Sequence, residues 1–361
     1  MRQWKRLLGI GLAFCMMFGG NAYGEMTIAP NPFGNTGSAA GASAPGLGAG
    51  MQAGSGNSLT GPGAGSRPAG PGAPGAGKQE PGVSAPGMQG QGVSENPGST
   101  AALAEPEIAA EGAVLMDAAT GKVLYGKNQD QQFYPASITK VMTALLVLER
   151  CSLTDVVEFT ASATTNLESG AVSLNITAGD RLTVEQCLYG LMLKSANEIG
   201  NGLAEHVAGS VADFADLMNA KARELGCVNT HFANPHGLND PDHKTTPRDM
   251  ALIMRASLMN DTFRKIATTC SYDFPATKKE AARTITMGHK MMYPTDSRYY
   301  EGIIGGKTGY TSLAGNTLVT GAERNGARLI VVVMKAKQTH YTDTKALLDY
   351  GFAHYKELTG R

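Results

Sequence analysis

Large apolar side chains are nearly missing from residues 31–100, where Phe33, Leu47, Leu59, Val83 and Val93 are the only Leu, Ile, Val or aromatic residues among 20 Gly and 9 Pro. Such a stretch cannot bury enough surface to offset the entropy of ordering its backbone. Charge is scarce there too. Arg67, Lys78, Glu80 and Glu95 are its only charges, which excludes a polyanionic tail and a nucleic-acid-binding arm. The every-third-glycine repeat of a collagen helix is also lacking. A flexible Gly/Pro/Ala/Ser-rich linker is the reading that remains, and we place it at residues 25–106.

Tryptophan occurs once, at Trp4, inside a segment that reads as an export signal. Arg2, Lys5 and Arg6 precede the apolar run Leu7 to Phe18, and Ala22-Tyr23-Gly24 supplies a small-x-small cleavage pattern, so residues 1–24 fit a signal peptide. The run is too short for a comfortable membrane span. Cys15 is a poor lipidation site because the bulky Phe14 precedes it. Excess charge is missing as well. The 31 basic and 31 acidic residues cancel, and loss of the signal, which holds three bases and no acid, leaves −3. Neither nucleic acid nor an acidic membrane surface is suggested as a partner. An exported, extracytoplasmic location follows.

Cysteine is sparse. After export Cys151, Cys187, Cys227 and Cys270 remain, an even number that leaves three full disulfide pairings open in an oxidising compartment. Their spacing matches no zinc motif. Cys187 shares an apolar stripe with Val184, Leu188, Leu191 and Met192, where a buried thiol acts as a small hydrophobe.

From residue 107 to 361 the chain has globular patterning and enough length for a sizeable core. Ala113 to Asp117 and Lys122 to Tyr125 read as strands around the Ala119-Thr120-Gly121 turn, followed by a helix with Ile138, Val141, Met142, Leu145 and Leu146 on its apolar stripe. Thr183 with Gln186 resembles a capping box, and Thr246, Pro247 and Asp249 mark another helix start. Val211, Phe214 and Met218 form a further stripe. Asn316 to Ala322 and Arg328 to Lys335 flank Asn325-Gly326, a strong hairpin signal, and a helix from about Tyr341 closes the chain. Strands at both ends with helices between predict an α+β fold, with one sheet completed by distant segments and flanked by a mostly helical insertion.

Three short motifs carry chemistry. Ser137-Ile138-Thr139-Lys140 sits at the start of a helix, where residues three apart share a face and a desolvated Lys140 can act as a base for the Ser137 hydroxyl. Alone, it also fits a helix cap and a solvated lysine. Ser195-Ala196-Asn197 falls between two helices, where a hydroxyl and a carboxamide can face a cleft or simply form an N-cap; the same Ser-x-Asn pattern recurs at Ser173-Leu174-Asn175, in a strand-like stretch, and at Ser94-Glu95-Asn96, in the linker. Gly305-Gly306-Lys307-Thr308-Gly309 ends the short apolar strand Ile303-Ile304, and its ammonium and hydroxyl suit a carboxylate ligand. A phosphate loop would need glycine at Glu301 and a helix afterward.

All three in this order match the active-site triplet of penicillin-interacting serine acyl enzymes. The surrounding stretches Tyr134 to Thr143, Leu193 to Glu198, Asn234 to Leu238, Thr246 to Ala251 and Gly306 to Thr311 resemble the low-molecular-mass D-alanyl-D-alanine carboxypeptidases. That resemblance spans about Ile108 to Phe352. It implies a β-lactamase-like fold, an antiparallel sheet flanked by helices with an all-helical subdomain, and removal of the terminal D-alanine from peptidoglycan stem peptides without a cofactor or metal. Residue by residue, it implies Ser137 as acylated nucleophile, Lys140 as its base and Ser195 as proton relay to the leaving amine. Asn197 would orient the peptide, Lys307 and Thr308 would engage the terminal carboxylate beside Gly309, and the N–H groups of Ser137 and Tyr310 would form the oxyanion hole. β-Lactam antibiotics are the implied covalent inhibitors. Arg248 is a further carboxylate candidate through its planar fork, with a pair to a nearby acid as the alternative.

Two departures from the resemblance stand out. Many members continue into a β-rich domain and an amphipathic membrane anchor, and no such C-terminal anchor is evident here. The long N-terminal linker is the other. His231, His236 and His243, close to Asp240 and Asp242, raise a metallopeptidase reading, but no His-Glu-x-x-His occurs and loop histidines are the expectation. Rival functions are a serine β-lactamase, which needs a general-base glutamate that we find nowhere around His231 to Asn239, and an idle wall-binding module. Because the linker carries no chemistry, a chain beginning at Glu107 should keep full activity on a soluble peptide. Loss of most kcat/KM in that folded truncation would show the boundary to be misplaced.

Overall fold

The computed structural model describes residues 103–165 and 167–361. The expected signal peptide and nearly all of the expected linker lie outside the described residues. In chain order the elements are β1 (Gly112–Asp117), β2 (Val123–Lys127), a 3-10 turn (Ala136–Thr139) running into α1 (Lys140–Arg150), β3 (Val156–Glu158), α2 (Ala161–Thr164), β4 (Arg181–Thr183) and α3 (Val184–Tyr189). A widened π-type turn (Gly190–Lys194) then leads to α4 (Asn197–Ala208), α5 (Val211–Glu224), α6 (Pro247–Ser257) and α7 (Asp261–Thr268). β5 (Ser271–Phe274), β6 (Arg283–Thr286), β7 (Ile303–Thr311), β8 (Gly315–Arg324), β9 (Ala327–Ala336), α8 (His340–Ala353) and α9 (Tyr355–Thr359) complete the chain.

The main sheet is fully antiparallel in the order β2-β1-β9-β8-β7, so strands from the two ends of the domain meet at its centre. β1 and β9 read as near-continuous apolar runs because both faces of the sheet are covered. Val114, Met116, Ile330, Val332 and Met334 face the larger core, under the helices, while Ala113, Leu115, Leu329, Val331 and Val333 face a second core that includes Leu347 and Leu348 of α8. Asp343 of α8 accepts the Ala110 backbone N–H at 2.9 Å and so ties the domain's beginning to its end. Leu103, the first of the described residues, already lies against the second core.

The local signals fold as their chemistry requires. Thr183 and Gln186 form the reciprocal capping box, and Thr246 accepts the Asp249 N–H with Pro247 in the first turn. Asn325 and Gly326 both take positive φ, 49° and 79°, which the tight β8–β9 turn demands. Elsewhere the structure departs from expectation. The glycine-rich motif does not end a short strand; it lies inside the nine-residue edge strand β7, paired with β8 in the register Lys307 to Val319 and Gly309 to Thr317. Tertiary pairing overrides the weak strand preference of glycine there. Ser173-Leu174-Asn175 is no strand, because the Leu174 N–H goes to the Glu198 carboxylate at 2.6 Å instead of to a neighbouring strand. The helical part also carries the short ribbon β3–β4. Among the described residues no helix is long and apolar enough to cross a membrane.

Candidate active site

Lys140 opens α1 and is fully buried, an unusual place for an amine. Its Nζ lies 3.1 Å from Ser137 Oγ, 2.7 Å from Asn197 Oδ1 and 2.7 Å from the His236 carbonyl oxygen. Burial, and then the nearby Lys307 ammonium, push its pKa well below the ordinary lysine range, while Glu198 opposes them. A neutral amine has two N–H donors and one lone pair. The carboxamide and carbonyl oxygens take the two donors, which leaves the lone pair aimed at the Ser137 hydroxyl.

Three loops hold those partners in place. Ala136, at φ 52°, turns the chain into the 3-10 segment that presents Ser137. Below it the His243 Nε2–H donates to Thr139 Oγ1 at 2.9 Å, Thr139 Oγ1–H donates to the Ala136 carbonyl at 2.8 Å, and His243 Nδ1 accepts the Ala233 N–H at 3.0 Å. Gly237 passes so close that a Cβ there would stand 1.8 Å from the Ala136 carbonyl oxygen, and its φ of 86° suits glycine. The loop after Pro235 can therefore bring the His236 carbonyl onto Lys140. Asn197 is fixed from its other end, since its Nδ2 donates to the Val172 carbonyl at 2.9 Å.

Ser195 closes the π-type turn in the left-handed region, at φ 67°, and its N–H donates back to the Gly190 carbonyl. Together with Ser137, Lys307, Thr308, Gly309 and Tyr310 it lines a cavity of about 430 Å³. A second cavity of about 300 Å³ shares Ser137 and Tyr310 and adds Asn197, Leu238 and Asn239. Lys307 is 2 % exposed, and burial lowers its pKa to about 7. Gly309 brings β7 against the Ser137 turn. A Cβ there would meet Thr317 Oγ1 at 2.4 Å and the Ser137 nitrogen at 2.8 Å, and that same Thr317 hydroxyl donates to the Pro135 carbonyl at 2.8 Å.

Arg248 needs correction. It does not line the cleft; it pairs with Asp130 at 3.6 Å, half-exposed, so the ion-pair alternative is the one found. The three loop histidines are hydrogen-bonded within the protein: His243 as above, His236 Nδ1 accepting the Leu238 N–H, and His231 Nδ1 donating to the Asp242 carbonyl. Glu168, exposed, is the one carboxylate among the residues lining the two cavities. Sequence reasoning missed the carboxylate that matters most to Lys140. Glu198, 1 % exposed, accepts from Ser173 Oγ at 2.7 Å and from Leu174 N, so it shapes the loop over the cleft. Its place directly after Ser-Ala-Asn was the available signal. His340 and Tyr341, which also line the larger cavity, carried none.

The sequence profile of the D-alanyl-D-alanine carboxypeptidases matches residues 99–338. The chain belongs to this family. Within the family it is 34% identical over 257 residues to DacF of Bacillus subtilis, covering 68% of this chain and 63% of that protein, and 34% identical to DacB2 of Mycobacterium tuberculosis, covering 69% and 84%. The chain thus spans less than two thirds of the length of some carboxypeptidase relatives. Among solved structures, the D-alanyl-D-alanine carboxypeptidase of M. tuberculosis superposes with a TM-score of 0.64 at 32% identity, over 70% of this chain and 95% of that one. The Streptomyces K15 DD-transpeptidase does so with the same score and identity over 70% and 100%. The fold is that of the solved DD-carboxypeptidases and DD-transpeptidases.

Family membership does not by itself explain why Gly309 is glycine; the contact with the Ser137 turn does. Gly309→Ala should lower Tm, at a cost on the order of 1–3 kcal/mol for the overpacked contact, and slow any reaction at Ser137. A variant with wild-type Tm and wild-type reactivity would refute this clamp.

Proposed function

We propose that the chain is a serine-type D-Ala-D-Ala carboxypeptidase, exported to the cell envelope, that removes the terminal D-alanine of peptidoglycan stem peptides through an acyl-enzyme on Ser137. The observation that carries this reading is the buried Lys140 amine, with two fixed acceptors and a serine hydroxyl at 3.1 Å. Ser137 Oγ attacks the carbonyl of the penultimate D-alanine as its proton passes to Lys140 Nζ. The Ser137 and Tyr310 N–H groups hold the oxyanion. Collapse breaks the bond to the terminal D-alanine, whose amine takes a proton relayed through Ser195. Water then attacks the ester, again with Lys140 as base, and frees Ser137. Asn197 orients the peptide, and Lys307 with Thr308 holds its carboxylate beside Gly309.

A β-lactam presents a strained amide to the same hydroxyl and keeps its leaving group tethered, so intact mass should rise by one drug. The adduct should vanish in Ser137→Ala and form at least about 100-fold more slowly in Lys140→Arg, because a guanidinium cannot act as the base. An adduct in Ser137→Ala, or a near wild-type rate in Lys140→Arg, would sink these assignments.

The pH profile follows from the two buried amines. Acylation falls on the acid side as Lys140 takes up a proton, and Glu198→Gln, which removes the charge favouring that proton, should move this limb to lower pH. On the alkaline side Lys307 loses its charge as pH rises through about 7, so kcat/KM for a carboxylate-terminated peptide should decline above it. An acid limb that stays put in Glu198→Gln, or moves upward, contradicts the assignment of that limb to Lys140.

A further inference from the structure

The two helices that begin at the active site end together elsewhere. α1 starts with Lys140 and α4 with Asn197, joined by the 2.7 Å hydrogen bond, and the helices pack along their lengths. Eleven residues later, roughly 16 Å away, α1 ends at Cys151, while His206 stands in the last turn of α4. Asp155, from the loop between α1 and β3, completes a cluster in which the Sγ, imidazole nitrogen and carboxylate oxygen all lie within 4.8 Å of one another. It is the one such grouping of three or more His, Cys, Asp or Glu donors among the described residues.

We propose that Cys151, Asp155 and His206 form a binding site for a zinc-like divalent cation that clamps the far ends of α1 and α4. A thiolate, an imidazole and a carboxylate form a mixed donor set of the softness that zinc takes and that magnesium and calcium do not. Bonds of about 2.3 Å to sulfur and about 2.0 Å to nitrogen and oxygen in tetrahedral geometry place the donor atoms about 3.3–3.6 Å apart. Closing to that spacing requires side-chain rotation, for which the exposed His206 has room. The Ser152 N–H donates to Asp155 Oδ2 at 2.8 Å, the outer-shell contact that holds a ligating carboxylate in position. The thiol is not tied up in a disulfide, since Cys151 is free. Beside the cluster lies a groove of about 550 Å³ that His206 lines together with Glu158 and Glu205, from which water can supply a fourth ligand. Arg150 is the cation next to the thiol and opposes binding, so the affinity comes from the three ligands together.

On coordination the Cys151 S–H bond is replaced by a sulfur–metal bond and the proton leaves to solvent; nothing is oxidised or reduced. The ion has no part in chemistry at Ser137, which lies at the opposite end of both helices. Its effect is to fix the spacing of two helices whose other ends carry Lys140 and Asn197.

The test uses the full chain without a histidine tag, stripped with a chelator and kept reduced. Cobalt(II) should produce a thiolate-to-cobalt charge-transfer band that saturates at one equivalent and is abolished by zinc, and zinc should raise Tm. Cys151→Ser should lose the band although Cys15, Cys187, Cys227 and Cys270 remain. His206→Gln and Asp155→Asn should bind at least about tenfold more weakly, and none of the three variants should keep the wild-type zinc shift in Tm. The absence of both the band and the Tm shift in the wild-type chain overturns the proposal, as does a band that persists in Cys151→Ser. If Cys151→Ser does not fold, His206→Gln, altered at an exposed helix position, decides the matter by the same two readouts.

Discussion

A lysine amine held out of water at the start of α1 sets the terms for everything around it. In solution the amine would carry a proton near pKa ~10.4 and be useless as a base. Removal from water, and then the second buried amine of Lys307, favour loss of that proton, while Glu198 opposes them. The neutral form is tolerated because its two N–H groups have acceptors at 2.7 Å. An unpaired buried donor would cost about 1–3 kcal/mol, so the amine needs the Asn197 carboxamide and the His236 carbonyl as much as it needs burial.

The rest of the architecture delivers those partners. Asn197 arrives on α4 after a widened turn that forces Ser195 into the left-handed region, and the His236 carbonyl arrives on a loop that only glycine at position 237 lets approach. Lys307 comes from the opposite side, on edge strand β7, where the strand's own pairing with β8 fixes its depth. Three separate supports therefore converge on one hydroxyl. Ala136 and Ser195, both at positive φ, are two places where the backbone takes a costly conformation to present functional groups.

Much of this was legible in the chain. The caps at Thr183 and Thr246, the Asn325-Gly326 hairpin and the apolar stripe of α1 are local devices, decided by residues within a few positions of one another, and they form as their chemistry demands. The order of the three motifs, and the resemblance they carry, pointed to Ser137, Lys140, Ser195, Asn197 and Lys307 as one site. The cleft gathers Ser137, Ser195, Asn197 and Lys307, with Lys140 buried directly beneath Ser137.

Contacts between distant segments were decided only by the tertiary structure. Whether Arg248 would face a carboxylate ligand or an acid of its own chain depended on where Asp130 falls, and no local pattern encodes that. The length of β7 depended on its partner strand, because a glycine-rich run has little strand preference of its own. Glu198 reads in sequence as an ordinary helix-start acid, yet folding buries it against the loop at Ser173 and within electrostatic reach of Lys140. Cys151, Asp155 and His206 likewise meet only because α1 and α4 run side by side from a shared origin. Short-range hydrogen bonding and side-chain periodicity are written along the chain, whereas burial, and the shift in basicity that follows from it, arises only when segments far apart in sequence exclude water together.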